Sequence, residues 1–362
     1  MQFIMTRRFI PLLLSLLCLA GPASSADTQL AHSSGVILLY HHVADDTPRS
    51  TSVTPDEFAQ HLDYIAEHYT VVPLEQLVDA AKGKTDVPDN ALAITFDDGY
   101  ENILTNGHPL LQKHGFPYTI FINPEVIGKQ GNQLSWEQVK QMQQQGVTFA
   151  NHTMDHLHLL EKQAGESEQD WLKRVWQNIT RAEKIIQQHT GESLKYLAYP
   201  FGEYNQTLAK RLEQHGYTAF GQHSGALGKF SDMTAIPRFP AAGPYAKLDT
   251  LKTKMASLAM PAVKVSLTDP QMTNRQLDKT VQVTLDASAA KDVRLSQLAC
   301  YYQGSTLKVS TDASQFGFSL DSTLPIGRSR VNCTAPSESA GGRFYWYSLP
   351  FFVANEQGQY PD

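Results

Sequence analysis

From residue 35 the chain alternates short apolar runs with stretches whose apolar positions recur at helical spacing. Val36-Ile37-Leu38-Leu39-Tyr40 is a continuous apolar run of strand length, as expected of a strand covered on both faces. Thr54-Pro55-Asp56-Glu57 then opens a helix: Thr54 supplies the cap, Pro55 suits the first helical position and Glu57 completes a capping box. Phe58, Leu62 and Ile65 follow on one face of that helix. Ala91–Phe96 is the next strand and runs into Asp97-Asp98-Gly99. A helix up to His114 stops at Gly115, and Tyr118–Ile122 resumes as a strand. Ser135 with Gln138 caps another helix, stopped by Gly146; Val147–Ala150 is strand-like again. A long amphipathic helix over 168–189 precedes a strand at Leu194–Tyr199.

Strand–helix units of this length predict an α/β fold with a mostly parallel sheet covered by helices, either an open doubly wound sheet or a closed barrel. The polar clusters fall just past the C-terminal ends of the predicted strands, where both architectures carry active sites. From about Ala262 the pattern changes. Segments such as Val281–Leu285, Lys308–Ser310 and Arg343–Tyr347 are β-rich and separated by turn residues. A small all-β sandwich-like domain over 262–362 is therefore expected. Its aromatic tract (Phe344, Tyr345, Trp346, Tyr347, Phe351, Phe352) reads as core before it reads as a sugar-stacking surface.

Ahead of the first strand, Arg7 and Arg8 precede the apolar stretch Phe9–Ala20 and then small residues up to Ala26. That is the plan of a secretory signal, with cleavage expected near Ala26. The stretch is too short for a stable membrane span, so an exported location, periplasmic or secreted, follows. Removing 1–26 takes the formal charge from −6 to −8, which leaves no basic footprint for nucleic acid. Of the three cysteines, Cys300 and Cys333 remain; an even pair in an exported chain is predicted to be bridged.

Two carboxylates side by side at a strand end, Asp97 and Asp98, would repel if buried without a cation. A metal on one and a proton-accepting role for the other resolves the conflict. His152 and His156 come after the strand at 147–150 and are spaced to converge on one ion. Two histidines and one carboxylate leave positions open for water and substrate, as catalytic zinc requires. Asp155 and His158 are rival ligands nearby. Tyr40-His41-His42 offers a further pair at the same rim, either of which could protonate a leaving group. Trp136, Tyr100, Tyr204 and Phe201 could line a groove or belong to the core.

Thr95-Phe96-Asp97-Asp98-Gly99-Tyr100 and His152-Thr153-Met154-Asp155-His156 resemble the first two motifs of the NodB-homology polysaccharide deacetylases. That resemblance covers about residues 35–240. It implies a distorted (β/α) barrel of seven rather than eight strands, filling a catalytic domain over 27–260. It also implies Asp97 as general base and Asp98, His152 and His156 as ligands of a divalent metal, Zn²⁺ first, with Co²⁺ or Ni²⁺ possible. Ala198-Tyr199-Pro200-Phe201-Gly202 stands where the family has Arg-Pro-Pro-Tyr-Gly. Phe201 thus holds the position whose backbone N–H helps form the oxyanion hole, and Ala198 replaces the arginine that orients the base. Arg238 is the candidate substitute. The late Leu-x-x-His motif is not evident. Tyr40-His41-His42 instead is similar to a permuted subgroup that includes secreted poly-N-acetylglucosamine deacetylases, where the first strand supplies the acid histidine; His41 aligns best and His42 is the alternative.

The expected activity is metal-dependent removal of N-acetyl groups from an acetylated glycan containing N-acetylglucosamine. The rivals are an O-acetyl esterase acting on xylan-like glycans and a non-catalytic glycan-binding protein with a degenerate site.

Overall fold

The computed structural model describes residues 34–277 and 279–361; the signal segment read at 1–26 lies outside them. Six strands run parallel, β1 (Gly35–Tyr40), β2 (Ala91–Phe96), β3 (Tyr118–Ile122), β4 (Thr148–Asn151), β5 (Tyr196–Ala198) and β6 (Thr218–Phe220), each paired with the next. On the free side of β1, β7 (Ala226–Leu227) pairs antiparallel with its start and β8 (Phe239–Pro240) parallel with its end. Between β6 and β8 the pairing thins to one bridge, Phe220 to Ile236. The result is a curled, incompletely closed seven-stranded sheet, the distorted barrel expected from the sequence.

The strands are buried on both faces, which is why they read as unbroken apolar runs. Leu38, Ile94, Ile120 and Phe149 join one core, packed with α1 (Pro55–His68), while Ile37, Ala93, Phe121, Ala150, Ala198 and Phe220 meet in another. The alternation 91–93–95–97 carries Thr95 and Asp97 onto the second face, among small residues that leave room for Phe121 and Phe220. Helix ends follow their predicted signals. Thr54 and Glu57 form a reciprocal capping box, Ser135 and Gln138 another, and Gly115 and Gly191 take left-handed backbone at the ends of α3 (His108–His114) and α5 (Glu168–Thr190); α2 (Leu74–Ala81) and α4 (Trp136–Gln144) lie between these.

After residue 257 the chain is almost entirely β. A six-stranded sheet is built on the long antiparallel pair Gly327–Pro336 and Phe344–Val353, and a four-stranded sheet packs on it around Val283, Phe316, Phe318, Val331 and Phe351. Leu258–Ala259 already pairs with Tyr345–Trp346, just before the predicted start at 262. Cys300 and Cys333 face each other across two adjacent strands and are disulfide-bonded. Of the aromatic tract, Tyr345, Phe351 and Phe352 are buried, and Trp346 packs edge-on against Phe239 of the barrel. Among the described residues no helix is long and apolar enough to cross a membrane.

Candidate metal centre and its cleft

Asp97 and Asp98 sit at the end of β2, where the backbone leaves the sheet through two successive left-handed residues, Asp98 (φ 74°) and Gly99 (φ 76°). A Cβ on Gly99 would lie 2.8 Å from Ile122 Cγ2, so the turn needs glycine for space as well as for φ. The turn sends the two carboxylates to different partners. Asp97 is fully buried and receives both Nη atoms of Arg238, at 2.7 and 2.8 Å. Arg238 is itself fully buried, donates from Nε to the Gly221 carbonyl and lies over the Phe121 ring. Burial would push the Asp97 carboxyl up, but the guanidinium and neighbouring His152 outweigh it and hold it below the usual range.

Asp98 turns toward the histidines. Its Oδ1 is 3.2 Å from His152 Nε2 and 3.4 Å from His156 Nε2. Asp98 Oδ1 and His152 Nε2 are buried, yet neither has a hydrogen-bond partner of acceptable geometry. Buried polar atoms are rarely left so. Two donors on a tetrahedral zinc, each about 2.0–2.1 Å from the ion, stand roughly 3.3–3.4 Å apart. The three side chains therefore fit a divalent cation and form a candidate site for one.

His152 Nδ1–H donates to the Ala198 carbonyl (2.8 Å), which fixes the tautomer and aims Nε2 at Asp98. The small residue at 198 thus matters through its backbone. Asn123 Nδ2 holds the His152 carbonyl, while Thr153 and His156 are held at positive φ (70° and 58°). The segment 152–156 is a strained loop rather than a helical turn. Burial and the adjacent His152 pull the His156 imidazole down to about 4. Asp155 is exposed and accepts from Asn178, and His158 bonds Glu203 and stacks on Phe201, so neither rival joins the cluster.

A cleft of about 450 Å³ opens onto this site, lined by His41, Asp98, Tyr100, His156 and Phe201 among others. His42 is not on that lining: it is buried, stacked on Tyr100 and bonded to Asn102. Phe201 adopts φ 56°, and its carbonyl accepts from Arg328 of the β-domain at 2.7 Å. Trp136 stacks on His189 and Tyr204 on Tyr199, and neither lines the cleft. A larger cavity of about 650 Å³ runs between Tyr204, Phe230 and Trp346 without reaching the metal cluster. The Ala198 carbonyl, Asn123 and the arginines at 328 and 330 were not foreseen from the sequence; a backbone contact and a second-domain strand leave no motif.

The family model described as polysaccharide deacetylase matches residues 84–220. The chain is 30% identical over 207 residues to the "Putative polysaccharide deacetylase YxkH" of Bacillus subtilis (strain 168), covering 56% of this chain and 69% of that protein. The chain belongs to the NodB-homology polysaccharide deacetylase family. Within it, 27% identity over 228 residues links the chain to the poly-beta-1,6-N-acetyl-D-glucosamine N-deacetylase of Staphylococcus epidermidis, covering 57% of this chain and 78% of that one. The fold is shared with Streptococcus pyogenes deacetylase PplD in complex with acetate (TM-score 0.55, 21% identity, 61% of this chain and 98% of that one). It is shared too with IcaB from Ammonifex degensii (TM-score 0.54, 23% identity, 60% and 96%).

Proposed function

We propose that this family member hydrolyses N-acetyl groups on an N-acetylglucosamine-containing polysaccharide or oligosaccharide, releasing acetate and leaving a free amine. The observation that carries the reading is the division of labour between adjacent carboxylates: Asp97 paired with Arg238, Asp98 facing His152 and His156. A divalent cation on Asp98, His152 and His156, Zn²⁺ first and Co²⁺ or Ni²⁺ as alternatives, would acidify a water and polarise the acetyl carbonyl. Asp97, ionised by Arg238 and with lone pairs to spare, accepts that water's proton as the oxygen joins the carbonyl carbon. The Phe201 N–H donates to the resulting oxyanion, a contact whose loss costs about 3–4 kcal/mol in comparable acyl-transfer sites. His41, on the cleft wall, protonates the amine nitrogen as the C–N bond breaks.

The relatives named for poly-beta-1,6-N-acetyl-D-glucosamine support the substrate class. The Cys300–Cys333 bridge supports an exported location, periplasmic or secreted. The test is acetate release from chitooligosaccharides, poly-N-acetylglucosamine, peptidoglycan and acetylxylan, after chelation and restoration with Zn²⁺, Co²⁺ or Ni²⁺. Metal-dependent acetate from an N-acetylated glycan is expected. Release from acetylxylan alone would replace the amide reading with an ester one, and glycan binding without metal uptake or turnover would make the chain a binding protein.

A further inference from the structure

The cleft has a second wall, and it comes from the β-domain. Arg328, Ser329, Arg330, Pro350 and Phe352 line it opposite His41 and Phe201. Along the strand Gly327–Pro336, residues 327, 331, 333 and 335 are buried, while Arg328 is exposed and Arg330 half-buried. Strand alternation therefore puts both arginines on the side away from the β-core. Arg328 fastens this wall to the catalytic loop through the Phe201 carbonyl and through Gln222 Oε1 at 3.0 Å.

The charged neighbours of Arg330 are the cations Arg328 and Lys254. The Tyr245 hydroxyl and the His223 imidazole also lie near it, and burial, then the arginines at 330 and 238, pulls His223 down to about 3 and keeps it neutral. Lys254 Nζ is buried over the Tyr245 ring at 4.4 Å and has no hydrogen-bond partner. Among the described residues no carboxylate forms an ion pair with Arg330 or Lys254, and Asp98, already facing the histidines, is the one carboxylate on the cleft lining. Arg330 and Lys254, held at low exposure with no carboxylate in an ion pair, are costly. An anion arriving at this wall would offset that cost.

We propose that the β-domain wall is an anion subsite in which Arg330, reinforced by the charge of Arg328, binds a carboxylate or phosphate substituent of the acetylated glycan. This rests on the deacetylase reading and names its substrate class: an acidic N-acetylated glycan. A guanidinium matches carboxylate and phosphate with paired donors. A neutral glycan gains nothing from it, and a strand already converted to free amines is repelled.

The experiment compares kcat/KM for acetate release from three oligomers: neutral chitooligosaccharides, oligosaccharides alternating N-acetylglucosamine with glucuronate, and 6-phosphorylated chitooligosaccharides. The full chain should prefer one acidic oligomer at least tenfold, the preferred one identifying the substituent, and raised salt should shrink the preference. Arg330→Gln should bring the acidic-to-neutral ratio close to one. Gln222→Glu, which lines the same cleft and places a carboxylate where Oε1 now accepts from Arg328, adds opposing charge and should lower the ratio even where Arg330→Gln folds poorly. An unchanged ratio in Gln222→Glu, or equal rates on all oligomers, overturns the subsite. If no oligomer releases acetate, calorimetric titration separates the two ideas. Acid-selective binding weakened in Gln222→Glu keeps the subsite while the deacetylase reading falls, and binding without charge preference removes the subsite whatever the turnover.

Discussion

Asp97 and Asp98 are neighbours in the chain, yet their surroundings differ in kind. A carboxylate engaged by a buried guanidinium stays charged near neutrality, as the proposed base requires. A carboxylate facing two imidazoles, one with an unpaired buried nitrogen, is placed as the proposed ligand requires. Asp97→Asn should therefore remove at least a thousandfold of the turnover while the purified variant still takes up one equivalent of Zn²⁺; retained activity, or lost metal, would contradict the assignment. His41→Ala should lower kcat by roughly 10²–10⁴-fold if it delivers the leaving-group proton. His42→Ala should act mainly on stability, because His42 is tied to Tyr100 and Asn102 away from the cleft lining. A pair of kcat measurements and melting curves distinguishes the two histidines, and a change below threefold in His41→Ala would reject it as the acid.

At the scale of elements, the local signals were legible because they are local. Thr54 with Glu57, Ser135 with Gln138, and the glycines at 115 and 191 set helix ends through contacts within a few residues. The candidate metal cluster was legible for a related reason: Asp98 and the loop carrying His152 and His156 follow the ends of parallel strands on either side of β3, so the three side chains converge on one rim. The β2 turn makes this checkable. Gly99→Ala places a methyl group against Ile122 and imposes a backbone that alanine disfavours. A loss of about 1–3 kcal/mol is expected from the strain alone, read as a lower urea midpoint. Zn²⁺ affinity should fall with it, since the same turn aims Asp98. Normal affinity with lowered stability would show that the site does not depend on this turn.

At the scale of the whole molecule, long-range contacts were legible only where a motif pointed to them. Arg238, the candidate substitute for the arginine missing at 198, reaches Asp97 across 141 residues because the segment bridging β6 and β1 carries it to the barrel's inner face, whereas Arg328, which no sequence signal marked, reaches Phe201 across 127 because the β-domain lies against the cleft. Nothing in the periodicity of either stretch encodes its neighbour. The packing of the two domains also buries Lys254 near Arg330, and burial, then that neighbouring charge, pulls its ammonium down to about 8. The sign of the linkage follows. Between pH 8 and the ordinary lysine value near 10.4, the unfolded chain binds a proton that the folded chain lacks, so stability rises with pH across that window; below pH 8 the full penalty is present. Lys254→Met keeps the stem's packing and removes the charge, so it should stabilise the protein at pH 7 by on the order of 2 kcal/mol. The gain should shrink as pH climbs toward 10, measured as the difference in urea midpoints between variant and parent at the two pH values. A gain equal at both would mean that Lys254 is neutral or paired throughout, and that the positive charge at the interdomain wall is smaller than its residues imply. A gain confined to the lower pH would locate an uncompensated cation where the two domains meet, behind the wall that Arg330 presents to the cleft.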